Sequence, residues 1–289
     1  MNQYRMKIRD KFIDSVKSGD KKREYRLNDE ARRQVKPGDI LVLISTINSK
    51  KFVRVKVISR HNYPNWKMAL EDHWLVDFKG IYSTIEEALK DCNRFYRREE
   101  VEKYGIVTFD IIPENIPLKN SVVLLDTNII IQRESSNNVT FEVAELYRWL
   151  DNLGCKKVIH SATKQEISKY ADKKILENML CKLNAYGNIN ECKEEQKDFF
   201  EVTKLYPLNE NSRIDNSLLL QVYAGKVDYL VTNDKEMLRK SDALYIRDHV
   251  VSTVEFLRKF EEAFPKLIEY RMLRVKKVLF SDVNYNSHV

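Results

Sequence analysis

Two domains of different class are predicted from this chain. Residues 1–115 read as a small barrel-like α+β domain, residues 116–258 as an α/β domain with a central parallel sheet, and residues 259–289 as a helical tail. Three observations carry the prediction. Strand-like runs before residue 115 include one that alternates apolar with basic residues, whereas those after it are short and nearly continuously apolar. Between the two patterns lies Pro113-Glu114-Asn115-Ile116-Pro117, whose prolines bar both a helix and a central strand. Helix-length segments then separate the later runs, which is the rhythm of a sheet covered on both faces.

In the first domain, the turn signal Lys36-Pro37-Gly38-Asp39 precedes the apolar run ILVLIS at 40–45. FVRVKVIS at 52–59 alternates as a half-buried strand does, and GIVTFDII at 105–112 reads as a closing strand. Helical stretches are expected near 10–18 and 83–103. In the second domain, SVVLLD (121–126), KKVIHS (156–161), DYLVTND (228–234) and HVVST (249–253) read as parallel strands. The tail carries Phe260, Phe264, Leu267, Leu273, Val275, Val278 and Phe280 among charges, which predicts a helix followed by a segment without a clear pattern.

Composition narrows the class. A hydrophobic share of 43% supports cores, and no run approaches the roughly 18 apolar residues of a membrane span. Met1 is followed by polar and basic residues, so no signal peptide is expected. Cys92, Cys155, Cys181 and Cys192 lack CxxC spacing, which favours reduced thiols in a cytoplasmic protein over zinc or disulfides. The net charge of +7 is uneven: residues 1–50 hold 13 Lys+Arg against 7 Asp+Glu, while residues 51–115 balance at 11 against 11. A basic N-terminal segment suits a phosphate-bearing partner, and equally a solvated charged face.

Four acids fall at element ends of the second domain: Asp126 after VVLL, Glu166 in KQEIS, Asp215 in RIDNSLL and Asp234 in YLVTND. Sites on such sheets lie at the carboxyl ends of strands, where Asp126 and Asp234 fall. Gathered carboxylates hold hard Mg²⁺ or Mn²⁺ ions, which acidify an attacking water and stabilise the leaving oxygen of a phosphodiester. Without a metal, close carboxylates repel and at least one is expected to keep a proton. Each acid also has a plainer role open to it. Thr163 to Glu166 and Ser212 to Asp215 fit the capping pattern, and Asp126 and Asp234 fit strand-closing turns.

Residues 120–258 resemble a PIN domain, a metal-dependent nuclease fold. VVLLDTNIII is similar to its opening strand and first acid, and ATKQEISKY to the helix bearing its second. RIDNSLLLQVYAGKVDYLVTNDKEML resembles its third and fourth acids with the strand between, and VVSTVEFL its closing strand. The resemblance implies that Asp126, Glu166, Asp215 and Asp234 are catalytic acids holding Mg²⁺ or Mn²⁺, supported by Thr127 and Asn233. Glu142 and Glu145 compete with Glu166 for the second place. Asp228, Asp242 and Asp248 match no catalytic position.

Gly19-Asp20-Lys21-Lys22-Arg23-Glu24-Tyr25-Arg26 packs four cations and an aromatic ring into eight residues. Its spacing, GxKxxExR, is similar to the signature of ASCH domains, small PUA-like barrels associated with RNA. FIDSVKSGDKKREYR, KPGDILVLIS, FVRVKVISR and EEVEKYGIVTFDII follow that family's order over about residues 5–113. The resemblance implies a cleft in which Lys21, Lys22, Glu24 and Arg26 face RNA or a modified nucleoside. His61, Tyr63, Trp66, His73 and Trp74 are then either a base-stacking wall or core residues.

Together these readings predict a metal-dependent nuclease, with internal cleavage of RNA favoured, in which the ASCH-like module binds substrate. DNA stays open as the target, no membrane is expected, and neither an inhibitor nor a homo-oligomer can be inferred. Two alternatives stand beside it: a non-catalytic RNA-binding protein on a degenerate PIN fold, and an ASCH amidohydrolase acting on an acylated nucleoside.

Overall fold

The computed structural model describes residues 2–134, 139–169, 173–192, 196–206 and 210–267. The chain forms two compact units. One comprises Met1–Ile116, Cys192–Leu205 and Tyr223–Lys226; the other comprises Pro117–Glu191, Tyr206–Val222 and Val227–Val289. Among the described residues, no helix is long and apolar enough to cross a membrane.

In the first unit the elements run β1 (Gln3–Ile8), α1 (Ile13–Lys17), β2 (Arg23–Leu27), α2 (Glu30–Arg33), β3 (Ile40–Ser45) and β4 (Phe52–Tyr63). They continue through α3 (Trp66–His73), α4 (Ile85–Cys92), α5 (Arg98–Tyr104) and β5 (Ile106–Pro113). The sheet order is β1-β3-β4-β5-β2, and the strands curl into a half-barrel that fits the PUA-like class expected. β1 lies parallel to β3 and the other pairs are antiparallel. Every residue of β3 is buried, as a strand flanked by two others and covered on both faces requires.

Two apolar clusters line opposite faces of this sheet. Met6, Ile13, Val16, Leu41, Val55, Val107 and Phe109 belong to one; Leu27, Trp66, Leu70, Ala88 and Ile106 belong to the other. Alternation along β5 and β2 dictates the split, because neighbouring residues of a strand face opposite ways. Each large side chain so buried contributes about 1.5–3 kcal/mol. Helices start where the sequence offers a cap: Asp29 accepts from the Arg32 amide at 3.1 Å and Asn65 from the Met68 amide at 3.1 Å. A π-helical turn at Trp74–Phe78 follows α3.

The second unit begins with β6 (Val122–Leu125), α6 (Thr127–Glu134), α7 (Phe141–Asn152), β7 (Lys156–His160), α8 (Ser161–Ile167), α9 (Lys173–Lys182) and β8 (Gly187–Ile189). Helix α10 (Lys197–Thr203) falls in the stretch grouped with the first unit. Then come α11 (Glu210–Tyr223), β9 (Tyr229–Val231), α12 (Lys235–Ala243), β10 (Val250–Val251) and α13 (Thr253–Ala263). The sheet order is β10-β9-β6-β7-β8 and all pairs are parallel.

The seven strand-like runs read from the sequence are all strands, and among the described residues three more strands went unread. β2 was hidden because four of its five residues are charged or aromatic, and β8 because it has only three residues. β1 reads QYRMKI, with too few apolar residues to stand out. Of the tail, α13 buries Phe260, while Leu273, Val275, Val278 and Phe280 lie outside the described residues.

Candidate functional site

The second unit's acids are gathered by its central strands. β6 and β9 are parallel neighbours, with Leu125 opposite Val231, so Asp126 and the Thr232-Asn233-Asp234 segment leave the sheet side by side. Asp126 is 5% exposed. Its Oδ2 accepts from the Thr232 hydroxyl at 2.7 Å, and the same hydroxyl oxygen accepts the Asp234 amide at 3.0 Å. Next in chain, Thr127 donates its hydroxyl to Glu166 Oε2 on α8. Two carboxylates thus each accept a threonine hydroxyl, and Asp234 is tied to the same group through its main-chain amide.

Electrostatics brings in the fourth. Burial pushes the Asp126 carboxyl up to about 6, with the charges of Glu166 and Asp234 adding to it and the Thr232 bond opposing. Asp215, on α11, is pushed up to about 7 by burial first, then by Asp126, Asp234 and Glu166, against the charge of Lys240. All four sequence-predicted acids therefore share one field, the like-charge case in which ionisation of one group opposes that of the next.

The plainer roles divide. α8 is capped by His160, whose Nδ1 accepts the Ala162 amide at 3.2 Å, so Thr163 sits inside the helix and Glu166 is not part of a capping box. Ser212 likewise lies within α11 and does not start it. Asp234 does cap: its Oδ1 accepts the amides of Glu236 at 2.7 Å and Met237 at 2.9 Å. Glu145 is held by two donors of Arg148, at 3.2 and 2.7 Å. Asn233 accepts the Thr253 amide at 3.1 Å through Oδ1, which fixes the start of α13.

Lys240 was not legible as a site residue. It is fully buried, with Nζ 2.9 Å from Glu236 Oε1 and 5.5 Å from the centre of the Tyr206 ring. A surface-type residue on a helix, read from sequence, gives no sign of such burial.

The donor set is oxygen only, which suits a hard divalent cation. Two partly protonated carboxyls in a repulsive cluster are also groups that a cation would hold ionised. Among the described residues, no group of three or more His, Cys, Asp or Glu side chains stands close enough to hold a metal ion as placed. The fit is therefore one of donor chemistry and shared charge, not of ligand distances in this structure. The cysteines are free thiols.

In the first unit, the GxKxxExR residues meet around one carboxylate. Glu24 is 5% exposed, with Oε2 3.1 Å from Lys21 Nζ and Oε1 2.8 Å from Arg26 Nη2. Burial alone would raise the Glu24 carboxyl, but the Lys21 and Arg26 charges win and hold it below the usual range. Lys21 also donates to the Arg23 carbonyl, and Arg26 to the Lys7 carbonyl, so both cations are positioned by backbone. Lys22 is exposed and stays outside this cluster.

Residues Arg23 and Tyr25 face the other way. Arg23 bridges Asp77 at 2.7 Å and Asp110 at 2.5 Å, and Tyr25 donates to Asp77. Burial is the larger influence on the Tyr25 hydroxyl, with Asp77 adding to it, and both raise its pKa. Trp66 is buried and stacked on Tyr96 at 6.3 Å, while the Tyr63 hydroxyl lies 2.9 Å from His73 Nε2. Of the expected aromatics, Trp66, Tyr63 and Trp74 pack on this second core and His73 touches its rings, so these four form no exposed base-stacking wall. The clamp on Arg23 escaped the sequence because Asp77 and Asp110 lie far along the chain.

A curled sheet carrying this cluster at the start of its second strand fits an ASCH domain. The ASCH domain model matches residues 6–114, and those residues are an ASCH domain. Two solved structures are similar to it. The crystal structure of the hypothetical protein PH0355 is 36% identical, covering 39% of this chain and 99% of that one, with a TM-score of 0.35. The solution NMR structure of PF0455 from Pyrococcus furiosus is 33% identical, covering 38% and 96%, with a TM-score of 0.32. No curated protein matches the chain.

Proposed function

We propose that the protein is a metal-dependent ribonuclease of PIN-like fold, in which the ASCH domain binds RNA and the carboxylates of the second unit cut it. One observation carries this reading: Thr232 bonds the Asp126 carboxylate and the Asp234 main-chain amide, Thr127 beside Asp126 bonds Glu166, and Asp215 is raised by the charges of all three acids. A parallel sheet presenting acids beyond its carboxyl edge is where such a site belongs.

Bound Mg²⁺ or Mn²⁺ would supply an acidified water and stabilise the leaving oxygen, held by Asp126, Asp215, Asp234 and Glu166. The chain's own groups do the rest. Thr232 orients the Asp126 carboxylate, and Thr127 orients Glu166. Lys21 and Arg26 keep Glu24 ionised, and their cluster offers positive charge to RNA phosphates. Labelled RNA incubated with the protein and Mn²⁺ tests the reading. Cleavage is expected that Asp126→Asn and Asp215→Asn each reduce by 10²-fold or more, roughly the cost of losing a principal stabilising group. Equal cleavage by these variants would contradict it.

A second reading has its own observation, a nearly buried Glu24 paired with both Lys21 and Arg26. That cluster could serve an amidohydrolase acting on an acylated nucleoside. Acetate release lost in Lys21→Ala and kept in Asp126→Asn would favour it.

A further inference from the structure

We propose that Arg33, Arg60 and Lys103 form a phosphate subsite for an RNA backbone beside the Lys21–Glu24–Arg26 cluster. The inference rests on the RNA-binding reading of the first unit.

Strand register places Glu24 and Arg60 on one face, while Lys103 and Tyr104 lie at the rim where Tyr104 packs against the second core. Glu24 of β2 and Arg60 of β4 both stand directly opposite Phe109 of β5, the strand between them. Directly paired residues share a sheet face, so Glu24 and Arg60 are two strand spacings apart, roughly 10 Å. Asn28, just past β2, then gathers the guanidinium groups. Its Oδ1 accepts from Arg60 Nη2 at 2.8 Å and its carbonyl from Arg33 Nε at 3.0 Å, while Arg60 Nη1 donates to the Arg33 carbonyl at 3.1 Å. Asn28 is itself held by the Gly105 carbonyl at 2.9 Å. Gly105 has φ +72°, and a Cβ there would meet the Tyr63 carbonyl oxygen at 2.6 Å, so this junction is fixed.

The two guanidinium groups so placed lack a paired carboxylate, while Lys103 feels the charge of Glu30. Arg23, Arg26, Arg32 and Arg54 each pair with a carboxylate. Among the described residues no carboxylate pairs with Arg33 or Arg60, whose bonds go to neutral oxygens, and Arg60 Nε is buried without a hydrogen-bond partner. Burial, and after it the charge of Arg33, hold the Arg60 guanidinium below its ordinary range. Two forks fixed close together with unspent donors suit the oxygens of a phosphate, which would relieve their repulsion. Lys103 Nζ lies 4.7 Å from the centre of the Tyr104 ring and the Arg33 guanidinium 5.9 Å from it. A half-buried ring flanked by cations is a platform for a base next to a bound phosphate.

The test titrates the full chain with labelled single-stranded RNA in EDTA, where metal-dependent cleavage does not enter, between about 50 and 200 mM salt. Arg33→Gln and Lys103→Glu are each expected to weaken binding roughly threefold to tenfold and to lower the salt slope by about 0.7–1. Arg60→Gln should do the same, but it also loses a bond to the Arg33 carbonyl, so its melting curve is recorded alongside. Lys103→Glu touches no backbone partner and keeps the proposal testable if Arg60→Gln unfolds. Unchanged slopes in Arg33→Gln and Lys103→Glu, with wild-type RNA binding intact, overturn the subsite and leave the RNA reading standing. Absence of RNA binding by the wild type overturns both. Displacement of RNA by polyglutamate at equal charge would assign the patch to acidic peptides and overturn the phosphate assignment.

Discussion

Thr232 donates its hydroxyl to Oδ2 of Asp126 at 2.7 Å, and through this bond the end of β9 fixes the carboxylate at the end of β6. In Thr232→Val the shape is kept and the bond lost, which leaves a buried carboxyl short of a donor. The expected cost is about 1–3 kcal/mol in urea unfolding. RNA cleavage should fall at neutral pH, because Asp126 then holds its proton more tightly. An unchanged midpoint and rate would show that the hydroxyl does not orient this acid.

Raised carboxyls leave a signature in the pH dependence of stability. Asp126 and Asp215 are pushed up to about 6 and about 7, above their ordinary 3.8. The folded chain therefore binds more protons than the unfolded chain between about pH 4 and 7, so cation-free stability falls as pH rises through that window. Asp215→Asn should raise the melting temperature at pH 8, by about 1–2 kcal/mol of stability after allowance for its partial exposure, and change little at pH 4. Mg²⁺ in excess should stabilise the wild type more than this variant.

Glu24 has the opposite sign. Its carboxyl is held below the ordinary 4.5, so its stabilisation is present above that value and lost as pH falls through the folded-state value. Lys21→Met leaves Glu24 with Arg26 alone. A loss of about 1–3 kcal/mol is expected at pH 7, shrinking at pH 3, together with weaker RNA binding. Equal destabilisation at both pH values would point to lost packing instead of lost charge.

Arg23→Gln should separate structure from binding. It strips Asp77 and Asp110 of their shared cation and releases the π-helical turn, at about 2–3 kcal/mol. Because Arg23 faces away from Glu24, RNA affinity of the folded protein should change less than twofold. A tenfold loss would place this second network in the RNA interface.

What the sequence revealed follows from where chemistry and burial agree. VVLL and YLV read as strands because parallel strands are apolar on both faces, and Asp126 and Asp234 stood out against them. β2 was opaque for the converse reason: Glu24 is buried because Lys21 and Arg26 neutralise it, and Arg23 on the other face is satisfied by Asp77 and Asp110, distant in sequence. The aromatics after β4 could be core or wall, and only packing of Trp66 on Tyr96 decides it. Lys240 lies on a helix whose pattern puts lysine in solvent, yet it is buried beside Glu236 and its charge reaches Asp215. No local pattern encodes such an encounter.

The most direct test of the four-acid site is calorimetric titration of the protein with Mn²⁺ at about pH 6, in two buffers of different ionisation enthalpy. Since Asp126 and Asp215 are partly protonated there, binding should release about one proton, and Asp215→Asn should abolish most of that release. Absence of Mn²⁺ binding, or binding without proton release that Asp215→Asn leaves unaltered, would contradict the assignment of these carboxylates to one metal site.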